Sequence, residues 1–326
     1  MSSWDIRNGS SVMEFIFVGF SVTGNSQLGL FFLFTAAYLF TILANITIII
    51  VVVLNHQLHT PMYFFLSNLS FLDIWYVTVT VPRLLVDLLM GKKPISITAC
   101  FTQFYFFFVC EATENFLLML MGYDRYLAIC QPLHYLTMMN TSACICLVTS
   151  CWTMGFLVVI VPMVLIANLS FCGPHELHHI FCDFSPLLRL SCTDTSSTEA
   201  IFYALAWAVL LGCCLFTMVS YVFIISTIVQ ISSDTGRSKM FSTCAGHLTV
   251  VLIYYGTSTF TYICPSARNS FAMDKAVSVF YTIVTPILNP IIYRLRNKDM
   301  KVALKKTLRN WNNSLGKGHV GKVSLS

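Results

Sequence analysis

LGLFFLFTAAYLFTILANITIIIVVVL, residues 28–54, runs for 27 residues without an Asp, Glu, Lys or Arg. At about 1.5 Å per residue, a helix of that length more than crosses a hydrocarbon core of about 30 Å. Comparable uncharged runs are 143–167, 200–231, 240–264 (where His247 is the one titrating exception besides cysteine and tyrosine) and 276–293. Two further stretches, 61–82 and 95–123, are as apolar apart from Asp73 in one and Glu111 and Glu114 in the other. The pattern predicts an all-α membrane protein, a bundle of seven transmembrane helices. Continuous apolar runs without strand-like alternation favour helices over a barrel. An odd number of spans puts the two termini on opposite sides.

Composition supports the same class. The hydrophobic fraction is 56% and the charged fraction 10%, against about 25% charged in soluble domains. Too few charges remain to coat a water-soluble surface, which excludes a soluble enzyme and a free nucleic-acid binder. Of 19 basic residues, nine follow Tyr293, as expected of charge held against a membrane surface. No internal repeat or low-complexity linker is visible, so the chain reads as an amino-terminal segment (1–27), one seven-span domain (28–293) and a tail (294–326). Within the tail, Met300, Leu304 and Leu308 recur at four-residue spacing among Arg296, Lys298, Lys301, Lys305 and Lys306. That spacing predicts a short amphipathic helix on the inner leaflet; a plain basic stop-transfer tail is the competing reading.

Orientation follows from chemistry more than from charge. With the amino terminus outside, Lys and Arg divide 12 to 7 in favour of the cytoplasmic segments, but without the tail the ratio reverses to 3 to 7, so the positive-inside rule has little force. The sequon Asn8-Gly9-Ser10 is far enough from the first span to be glycosylated, and it shares a side with the loop carrying Cys172, Cys182 and Cys192. Both features need the lumenal face. Sequons at Asn45, Asn68, Asn140, Asn168 and Asn312 fall in or beside the spans or on the other side, and read as chance matches. No cleaved signal peptide is visible in residues 1–27.

Most of the 13 cysteines lie in the spans, where they pack as small apolar groups. Cys100 stands at the outer start of the third span, and with Cys172, Cys182 and Cys192 it permits three disulfide pairings, among which spacing does not choose. The same loop contains His175-Glu176-Leu177-His178-His179, a formal match to the H-E-x-x-H zinc signature. That chemistry needs both histidines one turn apart on a helix, whereas Gly173-Pro174 and the flanking cysteines make a constrained loop. These read as incidental surface histidines, with no metal site.

Ionisable residues inside a membrane cost about 2.5–3.5 kcal/mol each on insertion scales and are functional candidates by default. Asp73 and Glu114 are two such residues, with Asn45 and Asn289 as polar neighbours from the first and seventh spans. The network either cradles a cation, shares a proton, or specifies helix packing. Glu111 lies one turn outward from Glu114, and Phe107, Glu111 and Glu114 share one helix face by their i, i+4, i+7 spacing.

At the inner end of the third span stands Met121-Gly122-Tyr123-Asp124-Arg125-Tyr126-Leu127-Ala128-Ile129-Cys130. Alone, an Asp-Arg-Tyr is weak, because a helix-end Arg often simply reaches for water. The chain adds Leu58-His59-Thr60-Pro61-Met62-Tyr63-Phe64-Phe65-Leu66-Ser67, Ser220-Tyr221, Phe241-Ser242-Thr243-Cys244 with His247-Leu248, and Pro286-Ile287-Leu288-Asn289-Pro290-Ile291-Ile292-Tyr293. Together these resemble the olfactory receptors, the odorant-sensing branch of the rhodopsin-like G-protein-coupled receptors, in order and at the right spans from about Glu14 to Arg309. The outer-loop run from Cys182 to Cys192 is similar to the family's as well.

The resemblance implies pairings of Cys100 with Cys182 and Cys172 with Cys192. It implies that Arg125 engages a G protein, that Asp124 restrains it at rest, and that Tyr126, Tyr221 and Tyr293 belong to the coupling region. By position it implies a ligand pocket of Phe107, Phe108, Glu111 and Ala112 from span three, Phe202, Ala206 and Val209 from span five, Tyr255, Ser258, Thr259 and Tyr262 from span six, and Val279 from span seven. Departures from the family pattern are Ala44 for a usual Gly, Gly122 for a common Ala, Ala245-Gly246 for a Ser-containing pair, and Glu111 where a small residue is common. None removes a coupling residue.

The implied function is an olfactory receptor at the plasma membrane that binds a small hydrophobic odorant and activates a stimulatory, olfactory-type heterotrimeric G protein, raising cAMP. It needs no cofactor, no nucleic acid and no covalent reaction on its ligand. The same receptor acting outside the nose is the nearest alternative. A transporter should show related halves, and a retinal receptor needs a lysine within the seventh span, where 276–293 has none. Glu111 leaves two ligand chemistries open: a cationic amine that pairs with a carboxylate, or an oxygen-bearing molecule that accepts from a neutral carboxyl.

Overall fold

The computed structural model describes residues 14–20, 24–91, 94–172, 176–263, 271–296 and 299–309. Its helices are α1 Asn25–Leu54, α2 Pro61–Met90, α3 Ile97–Cys130, a short α4 Pro132–Met138, α5 Thr141–Val158 continued by α6 Ile160–Ala167, a short α7 Phe184–Leu188, α8 Ser196–Val229, α9 Asp234–Ile263, and α10 Phe271–Val279. A π-helical turn, Phe280–Val284, carries α10 into α11 Thr285–Arg296, and 299–309 form α12. The spans are therefore α1, α2, α3, α5 with α6, α8, α9, and α10 through α11. Six of them, among the described residues, are long and apolar enough to cross a membrane. The remaining one, the sixth span α9, is less apolar because Tyr254, Tyr255, Thr257, Ser258 and Thr259 crowd hydroxyls into one stretch.

Several helices outrun the uncharged segments that announce them. α3 continues past Asp124 and Arg125 to Cys130, and α9 starts at Asp234. A helix need not end where hydrocarbon ends; its last turns project into the headgroup region, where charge is tolerated. Local side chains set the starts. Ser96 accepts the Ala99 N–H at 3.2 Å to cap α3, Asn140 accepts the Ala143 N–H at 2.9 Å to cap α5, and Pro61 occupies the first turn of α2, positions that suit these residues.

α3 is the most buried of the candidate spans. Between membrane helices, with no water to expel, small residues that permit close approach do much of the packing. Gly155 of α5 is one of these: a Cβ built there would lie 2.0 Å from Thr113 Oγ1 and 3.2–3.3 Å from the Thr113 Cβ and backbone nitrogen. Rotating Thr113 relieves the first contact but not the other two. Gly155→Ala is therefore expected to force α3 and α5 apart and to lower unfolding stability by about 1–3 kcal/mol. A thermal melt of purified receptor checks this, and Thr113→Ala added to Gly155→Ala should recover part of the loss.

A small sheet closes the disulfide end. Strand β1, Glu14–Phe17, lies centrally, antiparallel to β2, Pro94–Ser96, and parallel to β3, Glu176–Leu177. Phe15 and Phe17 are buried, Phe15 edge-on to Phe171 with ring centroids 5.4 Å apart and Phe17 under the Arg83 guanidinium. At the opposite end, α12 packs through Met300, Ala303 and Leu304, whereas Leu308 is exposed. The buried face thus follows i, i+3, i+4, which departs from the four-residue stripe expected from the sequence. Asn55 anchors α12 to the α1–α2 turn by donating from Nδ2 to Thr307 Oγ1 at 2.9 Å and to the Val51 carbonyl at 2.7 Å.

Candidate functional site

The loop between α6 and α8 is folded down over the helices by covalent and polar ties. Cys182 is bonded to Cys100 at the start of α3, and Cys172 to Cys192 within the loop, with Cα separations of 5.5 and 5.8 Å. The Cys182 N–H donates to Gln103 Oε1 at 3.0 Å, and Gln103 donates in turn to the Val79 carbonyl at 2.9 Å. Phe184 then stacks on Phe202 of α8 with centroids 3.6 Å apart.

His179 corrects the reading of the loop histidines as surface groups. It is buried, with Nδ1 3.0 Å from the Phe181 carbonyl, Nε2 2.8 Å from Ser278 Oγ of α10 and 3.8 Å from Asp183 Oδ2. It links the loop to the seventh span. His178 is exposed and His175 lies outside the described residues. No group of three or more metal-ligating side chains gathers among the described residues.

Beneath this cover is a cavity. Phe107, Phe108, Glu111, Phe202 and Ser258 line it, as does Glu114 at its deep end. A neighbouring cavity lies between α3, the α5–α6 junction and α8; Ala112, Ala206 and Val209 line this one, together with Phe108, Glu111 and Phe202, which belong to both. Phe108 and Phe202 meet edge-on at 5.4 Å. The expected pocket residues therefore divide between two chambers that share an aromatic and carboxyl wall.

Three expected residues, Tyr255, Thr259 and Val279, line neither chamber. The physical reason is helical phase. Tyr254, Thr257 and Ser258 form the i, i+3, i+4 face of α9 on the first chamber, and a residue one position on is turned by about 100°. In the seventh span Tyr281 and Thr285 take that role by the same spacing. Tyr262 lies on described helix, but its side chain falls outside the described residues. Sequence reasoning missed Tyr76, Asp183 and Phe184, which also line the first chamber. For the last two the signal was available, since they directly follow a cysteine that the resemblance ties to α3.

Asn115 and Tyr254 knot α3 to α9 between the chambers. The Tyr254 hydroxyl donates to the Glu111 carbonyl at 3.0 Å and accepts from Asn115 Nδ2 at 2.8 Å; Asn115 Nδ2 also donates to the Glu111 carbonyl at 3.0 Å. Deeper, Asn289 Nδ2 donates to Asp73 Oδ1 at 3.0 Å and lies 3.5 Å from Glu114 Oε1, bringing spans two, three and seven together. Asn45 stands apart from this network. It is buried, donates to the Thr41 carbonyl of its own helix at 3.0 Å, and leaves its Oδ1 without a partner among the described residues.

At the far end of α3, Arg125 is ion-paired with Asp124, its Nε 3.1 Å from Oδ2. Tyr135 of α4 donates to Asp124 Oδ1 at 2.8 Å. Burial first, and then the Asp124 carboxylate, push the Tyr135 hydroxyl above the ordinary tyrosine range, so it remains a donor at neutral pH. Tyr221 is buried with its hydroxyl 2.7 Å from His247 Nδ1, and His247 Nε2 lies 3.2 Å from the Leu118 carbonyl. Tyr126 is half-buried, its hydroxyl accepting from Gln131 Nε2 at 3.2 Å. Gly122 fits beside Thr217 and His247, where a Cβ would approach Thr217 Cγ2 to 3.3 Å. The Tyr293 side chain and Asn8 lie outside the described residues.

Comparison with known proteins agrees with this architecture. Residues 34–310 match the olfactory receptor family. The chain is 49% identical over 302 residues to human olfactory receptor 6F1, covering 93% of this chain and 98% of that protein. It is 48% identical over 303 residues to rat olfactory receptor 287, covering 93% and 97%, and 47% identical over 303 residues to human olfactory receptor 11L1, covering 93% and 94%. With its multi-pass helical bundle, its ordered motifs and this extent of similarity, the chain belongs to the olfactory receptor family.

Proposed function

We propose that the two chambers beside α3 hold a small, mostly apolar odorant, and that the Asp124-Arg125-Tyr126 end engages a stimulatory, olfactory-type heterotrimeric G protein to raise cAMP. The observation that carries this reading is that one buried helix supplies both regions: Phe107, Phe108, Glu111 and Ala112 to the chamber walls, and Asp124 and Arg125 to the ion pair at its other end. A ligand that binds better to one arrangement of α3 against α8 and α9 shifts the population of both ends together. In this reading the protein sits in the plasma membrane with the disulfide end and a glycosylated Asn8 outside and α12 in the cytoplasm. Tyr221 and Tyr293 support the coupled arrangement, and the Asp73–Glu114–Asn289 network fixes how spans two, three and seven pack.

Glu111 supplies the polar recognition group, because its side chain belongs to the wall of both chambers. The test is a chemically broad odorant panel read as cAMP in cells expressing the full chain. If Glu111 recognises a cationic amine, Glu111→Gln is expected to weaken protonated amines at least about tenfold relative to neutral molecules of the same shape, the size of a lost charge-assisted hydrogen bond. Equal losses for both sets assign Glu111 a steric role, and unchanged potency throughout removes it from the site. Silence of the receptor across the whole panel, despite surface delivery, counts against odorant sensing itself.

A further inference from the structure

A groove between α1, α11 and α12 shares no lining residue with either chamber. It runs along α1 from Phe40 to Val51, with Pro290 of α11 and Met300 and Leu304 of α12 completing its wall. Phe40 and Leu43 stand exposed at its rim, whereas Val51, Met300 and Leu304 are buried in its floor. The Thr47 hydroxyl in the wall donates to the Leu43 carbonyl of the same helix at 2.6 Å, so what the groove offers an occupant is apolar contact. From Phe40 to Val51 it extends for about 16 Å, at about 1.5 Å per residue of helix. That is the depth of one leaflet of a hydrocarbon core about 30 Å thick.

Charge collects where α12 closes the groove. Residues 299–309 carry Lys301, Lys305, Lys306 and Arg309 against the single acid Asp299. Met300 and Leu304 face the groove, and Thr307, on one flank of that stripe, bonds Asn55. At about 100° per residue the other flank is formed by Lys301, Lys305 and Leu308, all three exposed, while Lys306 and Arg309 fall on the far side of the helix. We infer that the groove binds one acyl chain of an anionic glycerophospholipid, whose head group lies on Lys301 and Lys305. The chain enters from the side, over the rim at Phe40 and Leu43, and the head group emerges at the two ammonium groups. A lysine beside a membrane surface favours anionic lipid by about fivefold; two of them fixed at the mouth of one groove turn a diffuse attraction into a site. This rests on the reading of α12 as cytoplasmic, the side whose leaflet is rich in such lipids, and adds a ligand that the odorant reading does not contain. Bound there, the chain packs α12 against α1 by contacts additional to the Asn55–Thr307 bond.

The test reconstitutes the full chain in nanodiscs of phosphatidylcholine and phosphatidylserine in equal parts, extracts it into mild detergent, and identifies the phospholipid retained by the receptor by native mass spectrometry. The expected result is a retained lipid in which phosphatidylserine is favoured over phosphatidylcholine by at least about tenfold. Lys301→Gln with Lys305→Gln should abolish that preference. Lys306→Gln with Arg309→Gln, which removes the same charge from the far side of α12, should leave it in place. Ala44→Phe fills the groove without altering any lysine and should lower retention of both lipids. Soluble glycerophosphoserine, the head group without its chains, should not displace the bound lipid. Equal retention of the two lipids, equal loss of preference from the two charge pairs, undiminished retention by Ala44→Phe, or displacement by the head group alone overturns the inference. The nanodiscs present phosphatidylserine on both faces, so none of these outcomes depends on which side α12 occupies. A carboxyl-terminal epitope that antibody reaches on intact cells would overturn the cytoplasmic placement and leave the lipid site standing.

Discussion

Arg125→Ala is expected to abolish odorant-evoked cAMP at matched surface expression, whereas Asp124→Asn should raise the signal in the absence of odorant. The two differ because the ion pair has unequal members. Asp124 has a second partner in the Tyr135 hydroxyl, so the carboxylate keeps one hydrogen bond when the guanidinium is removed, and the bundle survives. Arg125 is 9% exposed and is bonded to Asp124; weakening that partner frees a cation at the end of α3. A buried charge stripped of its partner is costly, about 3–5 kcal/mol, which favours any arrangement that carries it outward. Unaltered cAMP from an Arg125→Ala receptor present at normal surface density would show that the residue has no part in coupling.

Cys100→Ser and Cys182→Ser are each expected to stop maturation, with the double substitution no worse than either one. The bond joins positions 82 residues apart and holds the loop that carries Asp183 and Phe184 into the chamber wall. Losing a disulfide from a small framework typically costs about 2–5 kcal/mol, and here the Cys182 N–H bond to Gln103 loses its alignment with it. Glycan processing and cell-surface labelling of the three variants check this. Additive damage in the double variant would mean that the two thiols act independently.

How much was legible in the sequence depended on how far apart the interacting groups lay. The spans were legible because burial in lipid demands a long uncharged run, a requirement that each helix meets alone. The Asp73–Asn289 contact was foreseeable in kind, since two polar residues at similar depth in adjoining spans have few other partners. Asn45 shows the limit: equally polar and equally buried, it bonds Thr41 in its own helix, and depth along a helix does not reveal direction around it. The same ambiguity explains Tyr255 and Thr259. A one-residue error in helical phase exchanges the chamber face for the packing face, and hydropathy alone does not detect it when both faces bear hydroxyls. β1 was hidden for a different reason. Four residues that pair with segments about 80 and 160 positions away carry no local signature beyond Phe15-Ile16-Phe17. Likewise, the HELHH run read as incidental surface histidines, whereas His179 is buried and its partner Ser278 lies 99 residues further on.

The central place of β1 has a consequence for the order in which the protein is made. The first strand to leave the ribosome is the one that needs two later strands, and its parallel partner, Glu176–Leu177, emerges only when more than half of the chain has been synthesised. Until then Phe15 and Phe17 have no finished interior to enter, and the β3 edge of β1 lacks its partner even after Pro94–Ser96 has been made. Cys182 follows Leu177 by five positions, so the strand that seats β1 and the thiol that locks the loop to α3 become available at nearly the same moment of translation. Closure of this end is therefore a late, concerted event in biogenesis, with the amino terminus waiting through the insertion of four spans for the segment that completes it.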